Sequence, residues 1–197
     1  DGRVACLTNY REPKSEQGQV PSRGHLISQY LQVEQGALHY LQEVQQQAAQ
    51  YNGFNIILGD AQHLYYFSNK QGQIQPLESG HHVLSNHLLN SPWPKSEKLR
   101  RSFAQLPLKE LLDAADLEPL FACLYDQEKA FDEELPQTGI SLEWERLLSS
   151  PFIISSDYGT RCSTILAIHQ SGQVYFAERS FNAEGVVTGE QRFWPWL

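Results

Sequence analysis

Three short β-type runs, FNIILGD at 54–60, LYYFSN at 64–69 and QIQPL at 73–77, succeed one another with only the turn signals GDAQ and NKQG between them. Connections this short predict an antiparallel meander. Helical patterns lie around it. Residues 37–50 place Ala37, Leu41, Val44 and Ala48 at steps of four, three and four, an amphipathic helix whose glutamines, the run at 45–47 included, face water. PSRGHLISQYLQ at 21–32 reads as a helix opened by Pro21 and capped by Ser22. The opening GRVACLTNYRE is a β-type run that ends in a polar tip at Thr8, Asn9, Tyr10 and Arg11.

After the meander, Leu99, Phe103 and Leu106 share one helical face, and Leu108, Leu111, Leu112 and Ala115 continue a second. Between them and the meander, SPWPK at 91–95 is a rigid exit whose prolines fix the turn into a helix beginning near Lys95. Pro119 opens a further helical turn, and a polar connection at 126–139 leads to a short helix within SLEWERLLSS. The chain closes with strands again: PFIISS, TRCSTILAIHQ, QVYFAERSF and EQRFWP, with Ser171 and Gly172 as a hairpin turn. Helices grouped between antiparallel strands predict an α+β layered fold rather than alternating βαβ units. The absence of repeats and linkers predicts a single domain over residues 1–197. Because the chain begins at Asp1 and contains no methionine, that domain is expected to be part of a longer one whose N-terminal segment lies outside it.

Fifteen basic against 23 acidic residues give a net charge of −8, which argues against a nucleic-acid partner. The longest apolar runs, such as TILAI at 164–168, are too short to span a bilayer, and no start region reads as a signal peptide. A soluble, cytoplasmic protein is the expectation. Cys6, Cys123 and Cys162 are too scattered for a disulfide framework or zinc site and are expected to be reduced structural thiols. The apolar neighbours Ala5 and Leu7 suggest that Cys6 is buried, and Cys162 is expected to face the core.

Polar residues gather where strands end: Asn9, Tyr10 and Arg11 in LTNYRE, Ser85 and Asn86 in VLSN, and Tyr158, Thr160 and Arg161 in DYGTRCST. Asparagine amides donate hydrogen bonds without charge and suit an oxyanion or a substrate carbonyl; arginine offers a fixed fork to a carboxylate or developing negative charge. An asparagine after a strand is also an ordinary turn residue. His81, His82 and His87 do not form a ligand set, since the first two point to opposite faces of an extended chain and 82 and 87 differ by an odd step. No dinucleotide loop, P-loop or nucleophile elbow is present.

The ordered motifs CLTNYRE, PSRG, VLSN, SPWPK, LPQTG, SSPFI, YGTRCST and AERSF resemble those of the transport and Golgi organisation 2 family, named also for an Asn-Arg-Asp-Glu motif, over nearly the whole chain. The resemblance implies a four-layer αββα sandwich of antiparallel sheets, similar to the N-terminal-nucleophile hydrolases. It implies a cysteine nucleophile that would cleave a C–N amide bond, its own α-amino group serving as base. Neither that cysteine nor the Asn-Arg-Asp-Glu motif is in this chain. By a more distant analogy with choloylglycine-type amidases, Asn9, Asn86 and Arg161 match catalytic positions, with Asn9 donating to the oxyanion and Arg161 supporting the charge. The alternative the resemblance implies is a non-catalytic protein of haem or acyl-coenzyme A and lipid trafficking. Tyr10, Arg11, Trp93 and Tyr158 would then line a ligand cleft, with Arg161 meeting a propionate or phosphate. Trp93 between Pro92 and Pro94 is also a natural packing anchor. Haem would be a carried ligand, and no metal site is expected.

Overall fold

The computed structural model describes residues 2–13, 20–107, 117–169 and 173–193 and divides the chain into two compact units, Asp1–Ser91 and Pro92–Leu197. Each contains an antiparallel sheet, and with five α-helices among the described residues the fold is α+β.

In the first unit the predicted meander forms as β2 (Phe54–Gly59), β3 (Leu64–Ser68) and β4 (Ile74–Pro76), and the opening run joins it as β1 (Val4–Asn9), in the order β1-β2-β3-β4. Gly59 makes the β2–β3 turn possible: its φ is +155°, and a Cβ there would lie 1.9 Å from the His63 carbonyl oxygen. The Asp60 side chain closes the same turn by accepting the N–H groups of Gln62 and His63, both at 2.8 Å.

Alternation divides the sheet into two chemically different faces. Ala5, Leu7, Phe54, Ile56, Leu58 and Phe67 pack against α1 (Gly24–Gln32) and α2 (Ala37–Gln47), which bring Leu26, Tyr30, Leu41 and Val44. Leu41 and Val44 are wholly buried, which contributes about 1.5–3 kcal/mol each. The other face carries Thr8, Asn55 and Tyr66, with Thr8 directly across from Asn55.

Two expectations need correction here. Ser22 does not cap α1 with its hydroxyl. Arg23 holds the N-cap position with helical angles, and Ser22, one residue too early, offers only its carbonyl to the N–H of His25. Cys6 is exposed rather than buried, because apolar neighbours on either side of it in a strand point to the opposite face. Crowding around its sulfur still pushes the thiol pKa up, which disfavours the thiolate.

In the second unit α3 (Pro94–Ala104) starts on Pro94, with Trp93 at the N-cap. It is followed by α4 (Glu118–Leu124), with Pro119 in its first turn, and by α5 (Leu142–Leu147), where the Ser141 hydroxyl accepts the N–H of Trp144. The strands β5 (Cys162–Ile168), β6 (Val174–Phe181) and β7 (Val187–Phe193) form a sheet in that order. Leu117, Leu120 and Phe121 pack on Ile165 and Ala177 of the sheet. The Arg179 guanidinium lies over the Phe121 ring and pairs with Glu118 and Glu190, which ties α4 to the strands.

PFIISS is not a strand: its backbone bonds go to Asp126 and Thr160 instead of a ladder, and Phe152 is inserted between Tyr125 and Phe181 at 4.5 and 4.7 Å. Cys162 faces outward instead of toward the core. The predicted helical face at 108–115 and the turn at Ser171 and Gly172 lie outside the described residues. No helix among the described residues is long and apolar enough to cross a membrane.

Candidate functional site

The polar tip of β1 is met by the loop at 80–91, and the two segments are joined by backbone and side chain alike. Asn90 first closes the loop on itself. It adopts the left-handed region with φ at 57°, its N–H donates to Val83 O at 2.8 Å, and its side-chain oxygen accepts the Val83 N–H at 3.0 Å. Asparagine tolerates that conformation better than most residues because its short amide can bond locally. The loop then docks on β1: the N–H of Arg11 donates to Asn86 O at 2.6 Å, and the Asn86 amide donates to Asn9 O at 3.0 Å.

Arg11 is 9% exposed, so its guanidinium is held inside the unit rather than spread on its surface. Beside it, the His87 ring lies 4.9 Å from that of Tyr10. Burial, aided by the Arg11 charge, pushes the His87 pKa below its ordinary value, which keeps the imidazole neutral at physiological pH. The tautomer follows from the neighbours. The Ser91 hydroxyl spends its single proton on Leu88 O at 2.7 Å, so the 2.7 Å contact with His87 Nδ1 requires that Nδ1 donate, leaving Nε2 as an acceptor. The serine is therefore bound up in the turn and is not a nucleophile activated by the histidine.

Gly53 organises the other side of Tyr10. Its carbonyl accepts the N–H of Tyr10 at 2.9 Å and an Arg23 guanidinium N–H at 2.8 Å, and its N–H donates to the Glu12 carboxylate at 2.8 Å. Lys70 pairs with the same carboxylate at 2.5 Å and lies 5.9 Å from the centre of the Tyr10 ring. Burial opposes ionisation of Glu12, but the bonds from Lys70 and Gly53 and the charges of Lys70 and Arg23 prevail and lower its pKa. The tip of β1 thus presents a half-buried phenol with Lys70 over its ring, Arg23 on the adjoining Gly53 carbonyl and the buried Arg11 next in the chain. Such a setting is suited to the carboxylate or phosphate end of a ligand with an apolar body.

Of the residues expected at a site, Asn9, Tyr10, Arg11 and Asn86 come together here. Asn9 has an exposed side chain at the last position of β1. Trp93, Tyr158 and Arg161 belong to the second unit. Trp93 is buried there with Lys95 Nζ 5.8 Å from its ring centre, Tyr158 is half-exposed and meets Trp144 edge-on at 5.6 Å, and Arg161 gives its carbonyl to the N–H of Phe181 at 2.9 Å. His82 bonds to Glu78 O and Asn90, as a turn residue does. Among the described residues no group of three or more His, Cys, Asp or Glu is placed to hold a metal ion.

Sequence reasoning passed over Glu12, Gly53, Asn55, Tyr66 and Lys70. One signal was present. Asn55 interrupts the apolar run of β2, and a polar residue inside such a run marks a buried hydrogen-bonded position. His87, expected to be no part of a metal-ligand set, has an aromatic ring and a guanidinium as its neighbours.

Comparison with known proteins gives one consistent result. The profile of the family described as Transport and Golgi organisation 2 matches residues 1–183. The chain is similar to Transport and Golgi organization protein 2 homolog of Bos taurus, 33% identical over 195 residues that cover 91% of this chain and 68% of the relative. The Homo sapiens homolog is 32% identical over 193 residues with the same coverage of both chains, and that of Mus musculus is 31% identical.

Proposed function

The chain belongs to the Transport and Golgi organisation 2 family, and from that premise we propose that it handles an anionic amphiphile of the haem or acyl-coenzyme A class, bound at the tip of β1. The observation that carries this reading is the placement of Arg11, 9% exposed, among Tyr10, Asn86 and the neutral His87. A guanidinium held in that setting meets a carboxylate or phosphate without first being stripped of a full water shell. The half-buried Tyr10 ring offers contact to an apolar or planar body.

Titration with haemin and with a long-chain acyl-coenzyme A, followed by tryptophan quenching and thermal shift, tests the reading. Binding of either by the chain, weakened about tenfold or more in Arg11→Met, is the expected outcome, since a charge-assisted hydrogen bond contributes about 1.5–3 kcal/mol. Equal affinity in a folded Arg11→Met protein refutes the site. Arg161→Met tests in the same way whether the second unit meets the anionic group.

One observation favours a second reading, a hydrolase of C–N amide bonds on the four-layer αββα sandwich. Asn86 carries two amide protons, and its bond to Asn9 O uses one, so the other can donate to an oxyanion. Incubation of the full-length protein with N-acyl amides, with product release lost in Asn86→Ala, supports this reading; product release unaffected by Asn86→Ala excludes Asn86 from it.

A further inference from the structure

Three side chains on the sheet face opposite the helices form an unbroken run of hydrogen bonds that leaves the loop at one residue and returns to it at another. The N–H of Leu89 donates to the Tyr66 hydroxyl at 3.1 Å, and that hydroxyl donates to Asn55 Oδ1 at 2.8 Å. Asn55 Nδ2 donates to the Thr8 hydroxyl at 3.1 Å, and Thr8 donates to Ser85 O at 2.7 Å. Between the two ends, Leu89 and Ser85, stand Asn86, His87 and Leu88.

The chemistry of the run leaves little freedom. Each hydroxyl has one proton and spends it in the same direction, and the Asn55 amide can serve only with its oxygen toward Tyr66 and its nitrogen toward Thr8. Asn55 and Tyr66 are wholly buried, so a group left unbonded by a break in the run cannot turn to bulk water. An apolar pair at these two positions would fill the face equally well and would hold the sheet together, but it would not specify where the loop rests. The run does specify it, because both of its ends are backbone groups of the loop.

We propose that Asn55, acting through Tyr66 and Thr8, is the positioning residue of the site, fixing where Asn86 and His87 stand against Asn9, Tyr10 and Arg11. The inference rests on the proposed function only in treating Asn86 and His87 as ligand contacts.

Tyr66→Phe cuts the run at one end and Thr8→Val at the other, each nearly preserving shape. The His87 ring protons report the outcome by NMR of the whole chain, since the Tyr10 ring at 4.9 Å shifts their resonances. Both variants are expected to move the His87 signals toward unstructured values, and the double variant to move them no further than either alone, because one circuit is being opened twice. Tyr40→Phe serves as control: it removes another buried phenol, bonded to Leu26 O at 2.8 Å on the helix-packed face, and is expected to leave His87 unmoved. Unchanged His87 signals in a folded Tyr66→Phe or Thr8→Val protein overturn the proposal, as does a double-variant shift equal to the sum of the two. Should Tyr66→Phe fail to fold, Thr8→Val decides alone, since Thr8 is only partly buried. The NMR reading needs no ligand. If haemin and acyl-coenzyme A do not bind the natural chain, the proposed function fails while this inference is judged separately.

Discussion

Arg11 and Asn86 are joined backbone to backbone at 2.6 Å, and the Asn86 side chain reaches past that bond to the carbonyl of Asn9. The loop therefore continues the pairing of β1 beyond the end of the ladder. A site built this way depends on contacts between segments more than seventy positions apart in the chain, so it forms only when the first sheet is complete.

Replacing Asn86 by alanine removes the side-chain half of this junction and keeps the backbone half. The orphaned Asn9 carbonyl lies in an exposed region and can recover water, so the loss is expected at about 1 kcal/mol or less. Urea denaturation followed by circular dichroism measures it. A loss above about 3 kcal/mol would show that the amide holds more than the one carbonyl.

Glu12 confers a pH dependence whose sign is fixed by its lowered pKa. A carboxylate with a folded pKa below its ordinary 4.5 adds stability above that pH and loses it as the pH falls through the folded value. With Glu12 30% and Lys70 39% exposed, screening limits the contribution to about 1 kcal/mol. Glu12→Gln is expected to be less stable than the natural chain at pH 7, with the difference shrinking as the pH is lowered below 4.5. Thermal unfolding across that range tests this, and a constant difference at every pH assigns the effect to packing.

The meander at 54–77, the helix at 37–50 and the start of α3 at SPWPK were legible because each rests on a local rule: turn chemistry, a 3.6-residue period, proline at a first helical position. Within the site, LTNYRE and VLSN were legible as polar strand ends, but their meeting was not, since nothing in either segment encodes contact with the other. Cys6 shows a second limit. Its apolar neighbours Ala5 and Leu7 are not its surroundings, because in a strand residues i−1 and i+1 lie on the opposite face. PFIISS shows a third: its composition favours a strand, but Phe152 is claimed by an aromatic cluster and its backbone by Asp126.

Phe152 is 1% exposed, with Tyr125 and Phe181 against its two sides. Phe152→Ala is expected to cost about 3–5 kcal/mol, the range for emptying a buried aromatic position. Phe152→Leu, which refills most of the volume, is expected to recover more than half. Urea denaturation of the two variants distinguishes the outcomes: a similar loss in both would mean that ring contacts, and not volume, dominate there.

Gly53 is the position at which the least chemical change should do the most to the site. A Cβ on it would lie 2.6 Å from Glu12 Oε1, 2.7 Å from Lys70 Cε and 2.8 Å from Tyr10 Cβ. The first two atoms end flexible side chains and can withdraw, but only by opening the ion pair between them. The third is fixed to the backbone of the β1 tip, whose N–H is bonded to Gly53 itself. Gly53→Ala is therefore expected to destabilise the chain by about 1–3 kcal/mol through overpacking. Because the strain acts on Tyr10, it should also displace that ring from His87 and weaken any ligand that contacts both. Glu12→Ala combined with Gly53→Ala makes room for the methyl group and is expected to restore part of the stability. Equilibrium unfolding of the two single variants and the pair measures the coupling, and simple additivity would mean that Tyr10, not Glu12, is the atom in the way.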